Sequence, residues 1–168
     1  PTARGFRYAQ TVSAAAAAFG HGMQDAAKTA GVVALTLVAS GHRSPDDLSI
    51  PWWVIGVSAV VLALGTYAGG WRIIRTLGSR IIDLTPPQGF AAEASSAAII
   101  LSSSAAGMAL STTHVATGSI LGSGVGKPGA EVRWAVAGRM AVAWLITLPA
   151  AGLVGALSYW LSDGVKTL

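Results

Sequence analysis

Cysteine is absent from the 168 residues, so disulfides, thiolate nucleophiles and thiolate metal sites are all excluded. Charge is scarce too: Asp, Glu, Lys and Arg make up 11% of the chain, against about 25% in an ordinary soluble domain. Aromatic residues amount to only 7% and do not alternate with the basic ones, as a strand-binding groove requires. The net charge of +4 therefore does not point to nucleic acid; basic residues gathered on the cytoplasmic side of a bilayer account for it more simply. The chain has no initiator Met and no signal-peptide layout at its start, and PTARGFRY reads as a loop entering a helix, so a fragment of a longer polypeptide is expected. What is present in quantity is apolar: 52% hydrophobic residues and a mean hydropathy of +0.58. The expectation is an all-α integral membrane protein, one membrane domain over 1–168.

Taken in order, 8–40 is expected as a transmembrane helix. Its Ala14–Ala18 run suits close packing through small side chains. In the following GHGMQD stretch, His21, Gln24, Asp25 and Lys28 fall at i, i+3, i+4 and i+7 and would share one helix face. Charges at membrane depth are costly and mark ion or substrate paths, although an Asp25–Lys28 pair that only neutralises itself inside a bundle is the plainer alternative. Gly20, Gly22 and Gly31 are expected to loosen this helix and free carbonyls for an ion. Residues 41–51 form a polar turn, and 52–68 a second span with Trp52, Trp53 and Tyr67 as its aromatic belt. The basic amphipathic segment 69–85, with Arg72, Arg75 and Arg80, is expected to lie on the membrane surface. The last span is 134–161, with Arg139 snorkelling and Pro149 as a kink.

The chain is organised around 89–126. Two apolar runs of about sixteen residues, roughly 24 Å each as helix, fall short of a ~30 Å hydrocarbon core. They flank the small-residue break Ala109–His114. That pattern predicts a re-entrant helical hairpin with its tip inside the membrane, which is tolerated only where packed in protein or lining a wet cavity. Glu93 stands near its start, either as a charge favoured by the helix dipole or as a buried cation ligand. The serines at 95, 96 and 102–104 are read as helix-packing hydroxyls. With a re-entrant hairpin, Arg4, Arg7, Arg72, Arg75, Arg80, Lys127 and Arg133 all fall on one side, which puts the N-terminus in the cytoplasm and the C-terminus outside.

Several segments together resemble the inorganic phosphate transporter (PiT) family. The signature G-A/T-N-D stands here as Gly22-Met23-Gln24-Asp25, and its D-A-Q-K-T continuation as Asp25-Ala26-Ala27-Lys28-Thr29. The second signature, S-T-T-H then T-G and I-L-G, stands as Ser111–His114, Thr117-Gly118 and Ile120-Leu121-Gly122. GTYAGGWRIIRTLGSRIID and QGFAAE also match in order, so the resemblance covers nearly the whole chain. Two departures from the signature are Met23 and Gln24, where Ala or Thr and then Asn are usual. The resemblance implies a plasma-membrane carrier of inorganic phosphate driven by sodium or protons, built as two inverted repeats. This chain would be the C-terminal one, with the N-terminal repeat of the same polypeptide as partner and a homodimer as a further possibility.

The residues suit such a carrier. Phosphate wants hydroxyl and backbone N–H donors, which Ser111, Thr112 and Thr113 offer at a helix N-terminus, together with Gln24 and Asp25. A sodium ion wants hard oxygens, for which Asp25, Glu93, Thr112 and Gln24 are candidates; proton coupling would use Asp25, Glu93 or His114. His21, Lys28 and Thr117 complete the candidate set, and no other cofactor is expected. The blander alternative for the hydroxyl cluster is bonding back to helix carbonyls. An intramembrane serine hydrolase fits poorly: Ser123 lacks the first Gly of G-x-S-G and no histidine stands as its base. A carrier of another oxyanion such as sulfate, or a non-transporting assembly module, is the remaining alternative.

Overall fold

The computed structural model describes residues 2–44, 46–47, 49–129 and 132–166. Among them there are five helices and no strand: α1 (Thr2–Ala39), α2 (Trp52–Ser79), α3 (Pro86–Ala105), α4 (Thr112–Val125) and α5 (Trp134–Lys166). Contacts divide the chain into two compact units, Pro1–Val132 and Arg133–Leu168. Of the turn and loop residues expected from the sequence, Pro45, Leu48, Ala130 and Glu131 lie outside the described set.

In the first unit α1 is the central post, with α3 packed along it, α4 folded back on α3, and α2 against α1. The stretch expected as an entry loop is already helical at Thr2. Nor do the glycines loosen α1, which runs unbroken for 38 residues. Gly20 instead permits close approach: a Cβ there would meet Ile100 Cγ2 of α3 at 2.9 Å, whereas Gly22 and Gly31 have open space. α1 ends in a left-handed Gly41 (φ 75°), with Gly41 N–H on Val38 O and His42 N–H on Leu37 O, a reciprocal C-cap that consumes its last carbonyls.

Among the described residues two helices are long and apolar enough to cross a membrane, Trp52–Ser79 and Trp134–Asp163. The polar stripe in the middle of α1 keeps that helix out of the pair. Their apolar side chains are turned outward: Val57, Val60, Val61 and Leu64 on α2, and Leu145, Leu148 and Leu153 on α5, are all more than half exposed. Such a surface is stable against lipid and not against water. α2 does not stop at Gly69-Gly70 as the sequence suggested; it continues to Ser79 with Arg72 and Arg75 in its C-terminal turns, and Arg80 is its C-cap. At about 42 Å it is longer than a ~30 Å hydrocarbon core. α5, a unit by itself, continues helical through Pro149.

The chain between α2 and α3 does bury something the composition hid. Ile81 and Ile82 are the largest of the fully buried side chains among the described residues, and Ile82 Cδ1 reaches to 2.5 Å from where a Cβ on Gly124 would stand. α3 then starts at Pro86, a residue whose missing N–H costs nothing in the first turn. The Thr85 N–H and hydroxyl both bond Gln88 Oε1 (3.1 and 2.8 Å). Gln88 Nε2 in turn reaches Ser123 O on α4 at 3.4 Å, so the start of α3 lies beside the end of α4 and the pair is antiparallel. α3 is longer than the sixteen residues expected, about 30 Å for its 20 residues, while α4 with 14 residues reaches only about 21 Å.

Candidate functional site

The site forms where the break between α3 and α4 meets the middle of α1. α3 ends on Gly107 (φ 70°), with Met108 N–H on Ser103 O (2.8 Å) and Gly107 N–H on Ser104 O (3.1 Å). Only a glycine takes that left-handed turn without strain. The break therefore runs from Ala106 to Ser111, a few residues earlier than the expected Ala109–His114, because Thr112, Thr113 and His114 already form the first turn of α4. Ser111 is extended (φ −79°, ψ 111°) and its hydroxyl accepts the His114 N–H at 3.4 Å, an N-cap that leaves the other first-turn N–H groups at the break.

The α1 stripe, whose spacing predicted one shared helix face, meets this break. His21 Nδ1 is 2.8 Å from Thr112 Oγ1 and 3.4 Å from Asp25 Oδ2. Lys28 Nζ donates to Asp25 Oδ1 at 3.1 Å and to the backbone oxygen of Leu110 at 2.5 Å. Asp25 is thus held between a histidine and an ammonium while its side chain stays 29% exposed. Gln24 is buried, and its amide nitrogen lies 3.0 Å from Ser103 Oγ, 3.2 Å from Met108 O and 3.5 Å from Ile100 O. Beside these groups an open groove of about 510 Å³ is lined by Met23, Gln24, Lys28, Leu101, Met108 and Ala109, among others.

The other candidates are distributed around this centre. Thr113 and His114 are exposed on the first turn of α4, next to the buried Thr112. Thr117, one turn on, is 1% exposed and its hydroxyl has no hydrogen-bond partner among the described residues. Glu93 is not brought to the cluster. It lies beyond the first turn of α3, which holds no acidic residue, and accepts a hydrogen bond from Ser13 Oγ at 3.2 Å. Ser13 and Asp25 are separated by about 18 Å along α1 at 1.5 Å per residue. Among the described residues no three of His, Asp and Glu gather as a metal site. Sequence reasoning missed Ser103 and the carbonyls of Met108 and Leu110. Ser103 does bond back to Ile100 O (2.9 Å), as a helix-packing serine would, but it also receives the Gln24 amide.

These features define a class: a helical membrane protein with ionisable side chains collected at a helix break. The chain belongs to the phosphate transporter family, whose profile matches residues 1–155. It is 62% identical over 160 residues to a Mycobacterium bovis protein named a probable low-affinity inorganic phosphate transporter, covering 95% of this chain and 38% of that one. Proteins with the same name from Rhizobium meliloti and Bacillus subtilis are 44% and 39% identical, over 94% and 95% of this chain and 47% and 48% of theirs. The chain spans under half the length of these relatives. Their names are those of transporters, not enzymes. No solved structure matches the chain.

Proposed function

We propose that the complete polypeptide containing this chain carries inorganic phosphate across the plasma membrane, coupled to a sodium or proton gradient. The observation that carries the reading is the contact between His21 and Thr112, which sets the Asp25 carboxylate beside the N-terminus of α4. Phosphate is recognised by hydroxyls and backbone N–H groups, and Ser111, Thr112 and Thr113 supply both where the helix dipole favours an anion. Asp25 takes the coupling cation, sodium or a proton, and so offsets the charge of the anion next to it. Lys28, bonded to both Asp25 and the break, links the two halves of the site.

In this reading α3 and α4 form a re-entrant hairpin. α4 is too short to span, and Gln88 on Ser123 O returns the chain to the side from which it entered. The groove beside Gln24 and Lys28 is where the N-terminal, inverted repeat closes the site. Basic residues then place the N-terminus of this segment in the cytoplasm and its C-terminus outside. Radiolabelled phosphate uptake by the complete polypeptide in sealed proteoliposomes, under separate sodium and proton gradients and with sulfate as competitor, tests the proposal. Gradient-driven uptake, with sulfate a poor competitor, is expected. Preferred uptake of sulfate would change the substrate, and no uptake of either anion would leave a non-transporting assembly module.

A further inference from the structure

We propose that Gln24 is a positioning residue that latches the hairpin tip to α1 and does not itself bind phosphate; the inference rests on the site proposed above only in assigning the tip its importance. A carboxamide nitrogen carries two hydrogens. Those of Gln24 face Ser103 Oγ at 3.0 Å and Met108 O at 3.2 Å, with Ile100 O at 3.5 Å, and the side chain is 5% exposed. Protein acceptors therefore take both donors, and none is left for an anion. The acceptors lie on either side of the Gly107 turn: Ser103 in the last turn of α3, Met108 in the chain that leaves it. One α1 turn further on, Lys28 holds Leu110 O at 2.5 Å. Carbonyls 108 and 110 are thus both drawn to α1, which fixes the non-helical stretch leading into Ser111 and aims the first turn of α4.

Side-chain length decides whether this latch closes. Asn, which the family signature carries here, is one methylene shorter, about 1.5 Å. From the same backbone it falls short of Ser103 and Met108. A direct phosphate ligand differs in what its loss changes: removing the amide then weakens phosphate binding itself and raises the KM.

The test uses the complete polypeptide in a cysteine-free background with Ala109→Cys in the groove lining, comparing Gln24→Asn, Gln24→Met and Gln24→Glu. The rate of thiol labelling by a charged maleimide is read without phosphate, and uptake kinetics are read separately. The latch predicts that all three variants, Asn included, raise the labelling rate by about threefold or more as the tip opens locally. The maximal uptake rate falls while the KM for phosphate moves by less than about twofold, because no ground-state contact is lost. Labelling unchanged in all three variants, or a KM raised well beyond twofold when Met removes the amide, overturns the proposal and returns Gln24 to the substrate. Because labelling needs no transport, it decides the latch even where the parent protein moves no phosphate.

Discussion

The two ends of the α3–α4 pair are each tied by a buried glutamine, and the two ties differ in their company. At the open end Gln88 accepts from Thr85 and donates to Ser123 O, with Gly124 and the enclosed Ile82 beside it. At the tip Gln24 bonds Ser103 and Met108, and its neighbours along α1 are His21, Asp25 and Lys28. The first set of groups is neutral and mutually satisfied, which is what an element needs in order to hold its shape. The second gathers ionisable side chains on one face of α1, and charges at membrane depth are costly. One residue type thus ties the pair at both ends, among neutral groups at one and ionisable groups at the other.

Asp25→Asn breaks the comparison most severely. It removes the negative charge facing Lys28 and His21 and keeps the side-chain shape, with an amide oxygen that can still accept from Lys28. Hydrogen bonds to charged groups contribute about 1.5–3 kcal/mol, so phosphate uptake is expected to fall roughly ten- to a hundredfold, with little change in the unfolding temperature in detergent. A variant that transports normally would remove Asp25 from the mechanism. Gly124→Val gives the converse pattern at the open end. Its Cβ would stand 2.5 Å from Ile82 Cδ1 and 3.1 Å from Val132 Cγ2, and overpacking of this kind costs about 1–3 kcal/mol. A lowered unfolding temperature with an unaltered KM for phosphate is expected, and a shifted KM would show that the two ends are coupled. Gln88→Ala is milder. Losing the cap and the tie to α4 costs about 1 kcal/mol, read in the same thermal assay, and an unchanged midpoint would show that Pro86 and helix packing suffice.

The polar stripe was legible because four residues at helical spacing need no tertiary information to share a face, and the break because small and hydroxylated residues interrupt two apolar runs. Its exact position was not, since Gly107 became a turn only once Met108 found Ser103 O. The continuity of α2 across Gly69-Gly70 was hidden for a related reason: glycine permits a break but does not impose one. The separation of Glu93 from Asp25 could not be read at all. It depends on how α3 is aligned along α1, and that alignment is set by Gly20 against Ile100, a contact between residues eighty positions apart.

The smallest effect lies outside both ends, in the turn between α1 and α2. Asp47 accepts from the Ser49 hydroxyl (2.6 Å) and backbone N–H (3.1 Å) and from Arg43 (2.5 Å). The Ser49 hydroxyl bond first, then its amide, with Arg43 after them, hold the Asp47 carboxyl below its ordinary value. A depressed carboxylate contributes to the order of the turn above its unfolded pKa, and that contribution is lost as pH falls through the lower folded value. The carboxyl resonance of Asp47 is therefore expected to titrate below the usual ~3.9 of a free aspartate. Ser49→Ala should raise the midpoint more than Arg43→Ala does, since the hydroxyl bond dominates and the arginine is screened by solvent. Uptake measured at neutral pH should respond to neither substitution. If it did respond, this turn would have to be joined to the proposed site at the tip, and the contrast between a charged end and a neutral one would no longer account for where the charges of the chain are placed.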